Sequence, residues 1–373
     1  MSMMNDDIFG KFADICNNPG RQLKAYKERG RKVIGCLPMY CPEEIIYACG
    51  GLPFGLWGAE IGISKAKEYM PAFFCGILQT ELEMAVNRKL DGLDAVVLTQ
   101  LCDSLKCFSQ NITVAAPQLK YVYLQQPQLR NGDPARKFYA ARLSEFADEI
   151  AKITGAKCTD ESLAEAVCVY NENRTLLRRF TELAATHPVT VTPRMRSCVI
   201  KSGYFCDRAE HNEWLKTLNS RLADLPVEEW KGKRVVTTGI IADSSELLSA
   251  LEENGISIVA DDVAHESRQF RTDVSSADID GIANRYLSMH GCSLIYGGVT
   301  QRAKQVAELA EKRQADGVIC LMTKFCDPEE YDYPLLRDTI EDAGVPFITI
   351  EQDKSIKQSG QLRTILQTFA EFA

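Results

Sequence analysis

Short apolar segments alternate with longer helical patterns along most of this sequence, and the alternation limits the folds that the chain can adopt. Four apolar segments lie in the first half and four in the second. Strands that alternate with helices favour an α/β fold with parallel sheets. The segments are almost continuously apolar, which is typical of strands covered on both faces.

The predicted strands form two groups. They cover residues 32–37, 53–58, 95–100 and 121–126 in the first half, and residues 234–241, 256–262, 317–323 and 346–351 in the second. A length of 373 residues suits two domains. We place the first α/β domain, with N-terminal and connecting helices, at residues 1–195 and the second α/β domain at residues 196–373.

The middle of the chain is predicted to be helical. Apolar residues recur at spacings of three and four over residues 139–153, and Gly155 is a plausible C-terminal stop. The same stripe continues over residues 163–180. A polar segment, residues 202–230, then leads into the second group of strands.

Composition and charge narrow the functional classes. A net charge of −8 argues against bulk binding to nucleic acid, which needs clustered Lys and Arg side chains. No apolar run reaches the length of a membrane span. The sequence begins MSMMNDDIFG, without a basic stretch followed by an apolar core, so we expect no signal peptide and a cytoplasmic protein.

Cysteine is the unusual residue type, with 14 in the chain. In a chain of this size without a secretory signal we expect reduced thiols. Most should be small apolar core residues, such as Cys168, Cys198 and Cys320, while a few could bind metal.

Two of the cysteines follow similar segments in the two halves. Leu98-Thr-Gln-Leu-Cys102-Asp103 ends the third strand of the first half, and Met322-Thr-Lys-Phe-Cys326-Asp327 ends the third strand of the second. In open α/β sheets, ligands bind at the carboxyl ends of the strands. The similarity therefore indicates a ligand site, although such strand-to-helix junctions also arise by chance.

Cys326 should lie just before a helix. Asp327 is the predicted N-cap, Pro328 the first helical residue and Glu330 the capping-box residue. Cys75 precedes a helical pattern over residues 77–87 in the same way. Free amides at a helix N-terminus favour a thiolate. The chain has no CxxC pair, which excludes the familiar zinc-ribbon and ferredoxin spacings. On spacing alone, a buried apolar role is favoured over a ligand role for each of these cysteines.

Six segments resemble the 2-hydroxyacyl-CoA dehydratase and benzoyl-CoA reductase family, and they run in order through nearly the whole chain. They are GCLPMYCPEE at 35–44, GLPFGLWG at 51–58, YMPAFFC at 69–75, CDSLKC at 102–107, DDVAHESRQ at 261–269 and KFCDPEEYDYP at 324–334. The chain looks most like the smaller, β-type subunit of lactoyl-, phenyllactyl- and 2-hydroxyisocaproyl-CoA dehydratases.

The resemblance implies two Rossmann-like α/β domains with parallel sheets and one [4Fe–4S] cluster between them. Carried over to this sequence, the cluster ligands are Cys75, Cys102 and Cys326. Three other cysteines, Cys36, Cys41 and Cys107, lie near the same edge. A related subgroup builds larger clusters with extra cysteines, which leaves Cys107 open as a further ligand.

The resemblance also implies a reaction and its partners. An oxygen-sensitive dehydratase of this family removes water from a 2-hydroxyacyl-CoA through a ketyl radical, giving a 2-enoyl-CoA by syn- or anti-elimination. The larger α-type subunit of the heterodimer binds the acyl-CoA, an ATP-hydrolysing activator protein supplies the electron transiently, and this chain relays or stores it. No G-x-x-x-x-G-K-[ST] loop is present, so the chain itself should not hydrolyse ATP in that way.

Other polar residues allow two interpretations each. Glu43 and Glu44 either complement a helix dipole or act as acid–base groups, with Glu44 the candidate for a catalytic residue. His265, Glu266 and Arg268 either form a solvated loop or contact a partner or phosphate.

Two alternative functions remain open at this point. One is a subunit of a benzoyl-CoA-reductase-like or double-cubane-cluster reductase. The other is a non-catalytic cysteine-site scaffold that holds zinc or no metal.

Overall fold

Two parallel four-stranded sheets form the centres of the two halves. The computed structural model describes residues 8–37, 39–355 and 359–372. The first sheet contains β1 (Lys32–Cys36), β2 (Gly51–Gly55), β3 (Ala95–Thr99) and β4 (Tyr121–Leu124). The second contains β5 (Lys233–Gly239), β6 (Ile256–Val263), β7 (Gly317–Thr323) and β8 (Phe347–Gln352).

The two sheets have the same topology. The strand orders are β2-β1-β3-β4 and β6-β5-β7-β8, and every pairing is parallel. In each sheet the first and third strands of the half are neighbours, and the strand order reverses between them. A crevice at the carboxyl ends of such strands is the usual ligand site of an open α/β sheet. The predicted α/β class with two Rossmann-like halves is confirmed.

Helices surround and connect the sheets. Nine precede β5: α1 (Ile8–Asn17), α2 (Pro19–Glu28), α3 (Glu43–Ala48), α4 (Gly76–Val86), α5 (Asp103–Ala115), α6 (Gly132–Thr154), α7 (Asp160–Thr186), α8 (Pro193–Ser202) and α9 (Arg208–Ala223). Six follow it: α10 (Ser245–Glu253), α11 (Ser267–Phe270), α12 (Ile279–Ser288), α13 (Val299–Lys312), α14 (Asp327–Asp342) and α15 (Ser359–Phe372). These counts refer to the described residues; short 3₁₀ helices lie at Lys65–Glu68 and Ser293–Ile295.

The strands are buried because helices cover both faces of each sheet. Every residue of β3, β6 and β7 is buried, which explains the almost unbroken apolar runs of β3 and β7 in the sequence. β2 begins at Gly51 rather than at the predicted residue 53. It is an edge strand, and a proline within a strand is tolerated there because one of its sides needs no ladder hydrogen bond.

The polar segment at 202–230 contains a helix that the sequence analysis did not predict. Helix α9 buries Leu215, Leu218 and Leu222 against α7, at helical spacing. Helix α9 has few apolar residues, so the polar and charged residues of its outer face hid the helical spacing in the sequence. The predicted stop of α6 is confirmed, because Gly155 caps it in the left-handed region at φ +84°.

Contacts between the halves come from both sides. Arg130, which follows β4, donates through Nε to the carbonyl of Ile295 at 2.9 Å and through Nη1 to the carbonyl of Leu287 at 3.2 Å. Glu60 accepts hydrogen bonds from the backbone N–H and hydroxyl of Ser245, at 2.7 and 2.6 Å, and so caps α10. The division at residue 195 stays a prediction.

None of the described helices combines the length and the apolar character needed to cross a bilayer.

Candidate metal centre

Cys102 lies three residues beyond β3 and is the N-cap of α5. Its sulfur accepts a hydrogen bond from the backbone N–H of Leu105 at 3.4 Å. The chain leaves the sheet at its carboxyl edge, as the sequence predicts. A thiol therefore takes the place of the serine or aspartate oxygen that usually caps a helix.

Cys326 occupies the equivalent place in the second half, three residues beyond β7. It is itself the N-cap of α14, so the prediction of Asp327 as N-cap is wrong by one residue. The preceding residue, Phe325, has φ +60°, an uncommon left-handed conformation for a bulky residue. Its N–H donates to the Glu330 carboxylate at 3.1 Å. The side chain of Glu330, in the first turn of α14, therefore stabilises the turn that precedes the sulfur of Cys326.

Cys75 is the N-cap of α4 and comes from the long loop after β2. The next residue, Gly76, packs tightly against a segment of the second half. A Cβ at Gly76 would lie 2.7 Å from Oδ1 of Asp353 and 3.0 Å from the backbone nitrogen of Lys354. The first-half helix that starts at this sulfur therefore touches the loop beyond β8.

The three sulfurs belong to one buried region. Cys326 is part of the large apolar cluster that contains residues of both halves, and Cys75 and Cys102 pack against the same cluster. Burial raises the pKa of all three thiols, to about 12 for Cys102. The charge of Cys75 adds to the pKa shift at Cys102, and both act on Cys326. The three cysteines that the sequence analysis selected thus pack in one apolar cluster, and their role as ligands stays a prediction.

The chemistry of this donor set fits an iron–sulfur cluster better than a single ion. The backbone N–H of Leu105 donates to the sulfur of Cys102, and hydrogen bonds to the sulfurs are a normal feature of cluster ligands. Three buried thiolates would need a strong cation to offset their mutual repulsion. Among the described residues, no three His, Cys, Asp or Glu side chains lie close enough to hold one metal ion. A tetrahedral ion with metal–sulfur bonds of about 2.3 Å would hold its sulfur ligands about 3.8 Å apart. A four-iron cluster is larger, so it binds cysteine sulfurs that lie further apart.

The other cysteines have different surroundings. Cys41 is half-buried, and burial and the neighbouring Cys36 raise the pKa of its thiol. Cys107 is exposed on α5, one turn beyond Cys102. Of the cysteines predicted to fill the core, Cys198 and Cys320 are buried, but Cys168 is exposed, so that prediction is wrong.

Glu43 and Glu44 occupy the first turn of α3, as both interpretations require. Glu44 is buried and forms an ion pair with Arg174. Burial would raise its pKa, but Arg174 and Arg285 outweigh burial and hold the pKa below its ordinary value. Glu43 accepts a hydrogen bond from Arg208 at 2.8 Å. A catalytic role for Glu44 stays a prediction.

The solvated-loop interpretation of His265, Glu266 and Arg268 is wrong, because all three are buried. Glu266 forms an ion pair with Arg196. The ring of His265 packs against Trp57, and neither ring nitrogen has a hydrogen-bond partner among the described residues. In the sequence, residues 264–268 resemble a surface loop because they include charged residues. Their partners, such as Arg196, lie far away in the chain.

The sequence analysis also missed a set of buried charges beneath Cys326. Arg268 and Arg302 are fully buried and contact the carboxylates of Asp262 and Glu329. The one sequence signal for these charges is that Glu329 lies three residues after Cys326 on a helix. We call these four residues the buried ion network.

Comparison with known proteins agrees with this arrangement. A sequence model described as the D-component of 2-hydroxyglutaryl-CoA dehydratase matches residues 38–372. The match covers the described strands from β2 to β8 and all three cysteines. The chain belongs to the 2-hydroxyglutaryl-CoA dehydratase D-component family. As a member of this family, the chain is a subunit of a hydro-lyase.

Several relatives of this family member match over almost their whole length. The (R)-phenyllactyl-CoA dehydratase beta subunit of Clostridium sporogenes is 42% identical over 370 residues, covering 98% of this chain and 99% of that protein. The lactoyl-CoA dehydratase subunit beta of Anaerotignum propionicum is 35% identical, with 98% of each chain covered. A subunit of the benzoyl-CoA reductase of Thauera aromatica is 28% identical, covering 97% and 95%. The predicted family and β-type resemblance are confirmed.

Proposed function

We propose that this chain is the iron–sulfur subunit of a 2-hydroxyacyl-CoA dehydratase and holds a [4Fe–4S] cluster on Cys75, Cys102 and Cys326. The observation that supports it is the position of these three residues: each is the N-cap of a helix, and all three pack in one apolar cluster. When bound, the cluster would supply one-electron transfer at low potential. Three protein ligands would leave one iron without a ligand from this chain.

This chain's own residues would bind the cluster and exclude water from it. Cys326 is buried within the apolar cluster that contains residues of both halves, so bulk solvent is kept from that side. The N–H of Leu105 fixes the sulfur of Cys102. A relay or storage role for the electron fits a buried site of this kind. The beta-subunit names of the relatives support an α-type partner, and the thioester would bind to that partner.

The test is iron and sulfide analysis after anaerobic purification. We expect a brown protein with about four irons per chain. The variants Cys75→Ser, Cys102→Ser and Cys326→Ser should each lose most of the cluster. Serine is a good N-cap, so the Cys102→Ser helix should still form, and circular dichroism should remain that of the wild type.

Cys107→Ser is the matched control, because Cys107 lies on the same helix as Cys102 but is exposed. It should retain full iron. A ligand variant that keeps wild-type iron would remove that residue from the set, and a colourless wild-type protein would favour the scaffold alternative.

A reductase function is the second candidate, favoured by the nearly full-length similarity to a subunit of a benzoyl-CoA reductase. The lower identity, 28% against 42% for the phenyllactyl-CoA dehydratase subunit, places it second. More than four irons per chain, together with iron loss in Cys107→Ser, would support a larger cluster of the reductase type.

A further inference from the structure

The buried ion network connects four elements of the second half below Cys326. Arg268 contacts Asp262 through Nη2 at 2.8 Å and Glu329 through Nη1 at 3.3 Å. Arg302 contacts the same two carboxylates, through Nε at 3.0 Å and Nη2 at 2.9 Å. The four residues come from β6, α11, α13 and α14. At its edge, Arg271 also contacts Asp262 and Asp332 also contacts Arg302.

Glu329 is the member nearest to the candidate metal centre. Its N–H donates to the carbonyl of Cys326 at 2.9 Å. Both of its carboxylate oxygens are occupied, Oε1 by Arg268 and Ser293 and Oε2 by Arg302. The carboxylate is therefore fixed and has no oxygen left for a metal.

Helix stability alone does not account for this carboxylate. The first turn of α14 already carries Asp327 and Glu330, which complement the helix dipole from outside, and Glu330 also holds the turn before Cys326. Glu329 is turned inward instead and is 2% exposed. Burying an ion network of this kind is often no better for stability than apolar packing. A negative charge placed beside a thiolate needs another explanation.

We propose that Glu329 is a positioning residue that lowers the reduction potential of the cluster held by Cys326, and that Arg268 and Arg302 fix its charge at that point. The inference rests on the proposed function. Local charge is one of the main determinants of cluster potential. A fixed carboxylate disfavours the more negative, reduced state. Arg268 acts in the opposite sense, since its guanidinium also approaches the sulfur of Cys292 at 3.5 Å in the same region.

The experiment compares two substitutions of opposite charge. Glu329→Gln removes a negative charge and keeps a side chain of the same shape, so the potential should become more positive. Arg268→Gln removes a positive charge, so the potential should become more negative. The potential is measured by redox titration of the anaerobic protein, in which electron paramagnetic resonance records the amount of reduced cluster. Iron content is measured in the same samples.

Asp338→Asn is the matched control, because Asp338 lies on the same helix, is exposed and contacts Arg337. It should leave the potential unchanged. If Arg268→Gln fails to fold, Arg271→Gln replaces it, because Arg271 contacts Asp262 at 3.0 Å from a less buried position. If Glu329→Gln fails to fold, Asp332→Asn replaces it. Asp332 contacts Arg302 at 3.2 Å from a less buried position, so its loss should shift the potential in the same direction as Glu329→Gln, but less.

Opposite shifts in the two buried variants, with wild-type iron, would support the inference. Unchanged potentials, or shifts in the same direction, would overturn it, because a change of packing has no reason to follow the sign of the charge. A wild-type protein without a cluster would instead overturn the proposed function, so the two failures are distinct.

Discussion

Glu81 differs from the carboxylates of the buried ion network because no cation binds it directly among the described residues. Its Oε1 accepts a hydrogen bond from the N–H of Gly58 at 2.6 Å, and its Oε2 has no hydrogen-bond partner there. Burial raises the pKa of Glu81 to about 7, against the opposing effects of Gly58 and Lys354. A single side chain of this kind makes stability depend on pH.

We predict that Glu81→Gln removes a pH dependence of stability. The carboxyl group keeps its proton in the folded state up to about pH 7, whereas in the unfolded state it loses the proton near its ordinary pKa of 4.5. The folded state therefore binds more protons between these values, and wild-type stability falls as the pH rises through that window. At pH 8 the variant should be more stable, on the order of 3 kcal/mol, as measured by chemical unfolding.

Glu68→Gln provides the control, since Glu68 is an exposed carboxylate close in sequence. Its pH profile should match that of the wild type. An unchanged profile for Glu81→Gln would show that the carboxyl group titrates normally in the folded protein.

At the scale of single elements, the loop between β2 and α4 places the helix that begins at Cys75. Gly58 in this loop has φ +75°, and a Cβ there would lie 2.7 Å from Oγ1 of Thr80 and 3.1 Å from the backbone of Ile77. The loop is therefore in close contact with α4, and only glycine fits.

Gly58→Ala should lower stability by about 2 kcal/mol, because it combines a left-handed backbone with a close contact. Gly62→Ala tests the same loop where a Cβ would meet nothing within 4 Å, and it should be close to neutral. The midpoints of thermal unfolding measure both. Equal midpoints for the two variants would contradict this account of the loop.

Strands and helix starts were predictable because the sequence signals for them lie within the same short segments. β7 was predicted at its observed bounds because seven consecutive buried residues leave a continuous apolar signal. The cysteine-led helices were predictable because capping patterns are local. Helix α9 was missed because its outer face is polar. The buried ion network was missed because Asp262 and Glu329 are far apart in the chain, and no local pattern distinguishes a buried arginine from an exposed one.

At the scale of the whole molecule, the two halves have the same topology and meet around the candidate metal centre. Arg130 is one of the residues that join them, since it donates to backbone carbonyls at the end of α12 and beyond, including those of Tyr286 and Leu287. Hydrogen bonds from a charged donor are stronger than those from a neutral one. This arginine should therefore limit local opening of the second half.

Arg130→Gln should accelerate hydrogen exchange of amides in residues 286–295, by roughly 30-fold if about 2 kcal/mol of local stability is lost. Mass spectrometry of peptides from the exchanged protein measures the effect. Arg136→Gln is the control, because Arg136 contacts Asp280 of α12 in a more exposed pair that should contribute little. Similar acceleration in both variants would mean that the exchange reports general loosening instead of this contact.

The distance along the chain between the three cysteines has a consequence for biosynthesis. Cys75 and Cys102 lie in the first sheet's half, and Cys326 follows the third strand of the second. During translation, a ribosome would release the first two thiols long before the third. Under the proposed function, iron delivery should then wait until the second half has been made and has docked. A fragment that ends before β7 could offer an assembly scaffold only two of its three attachment points.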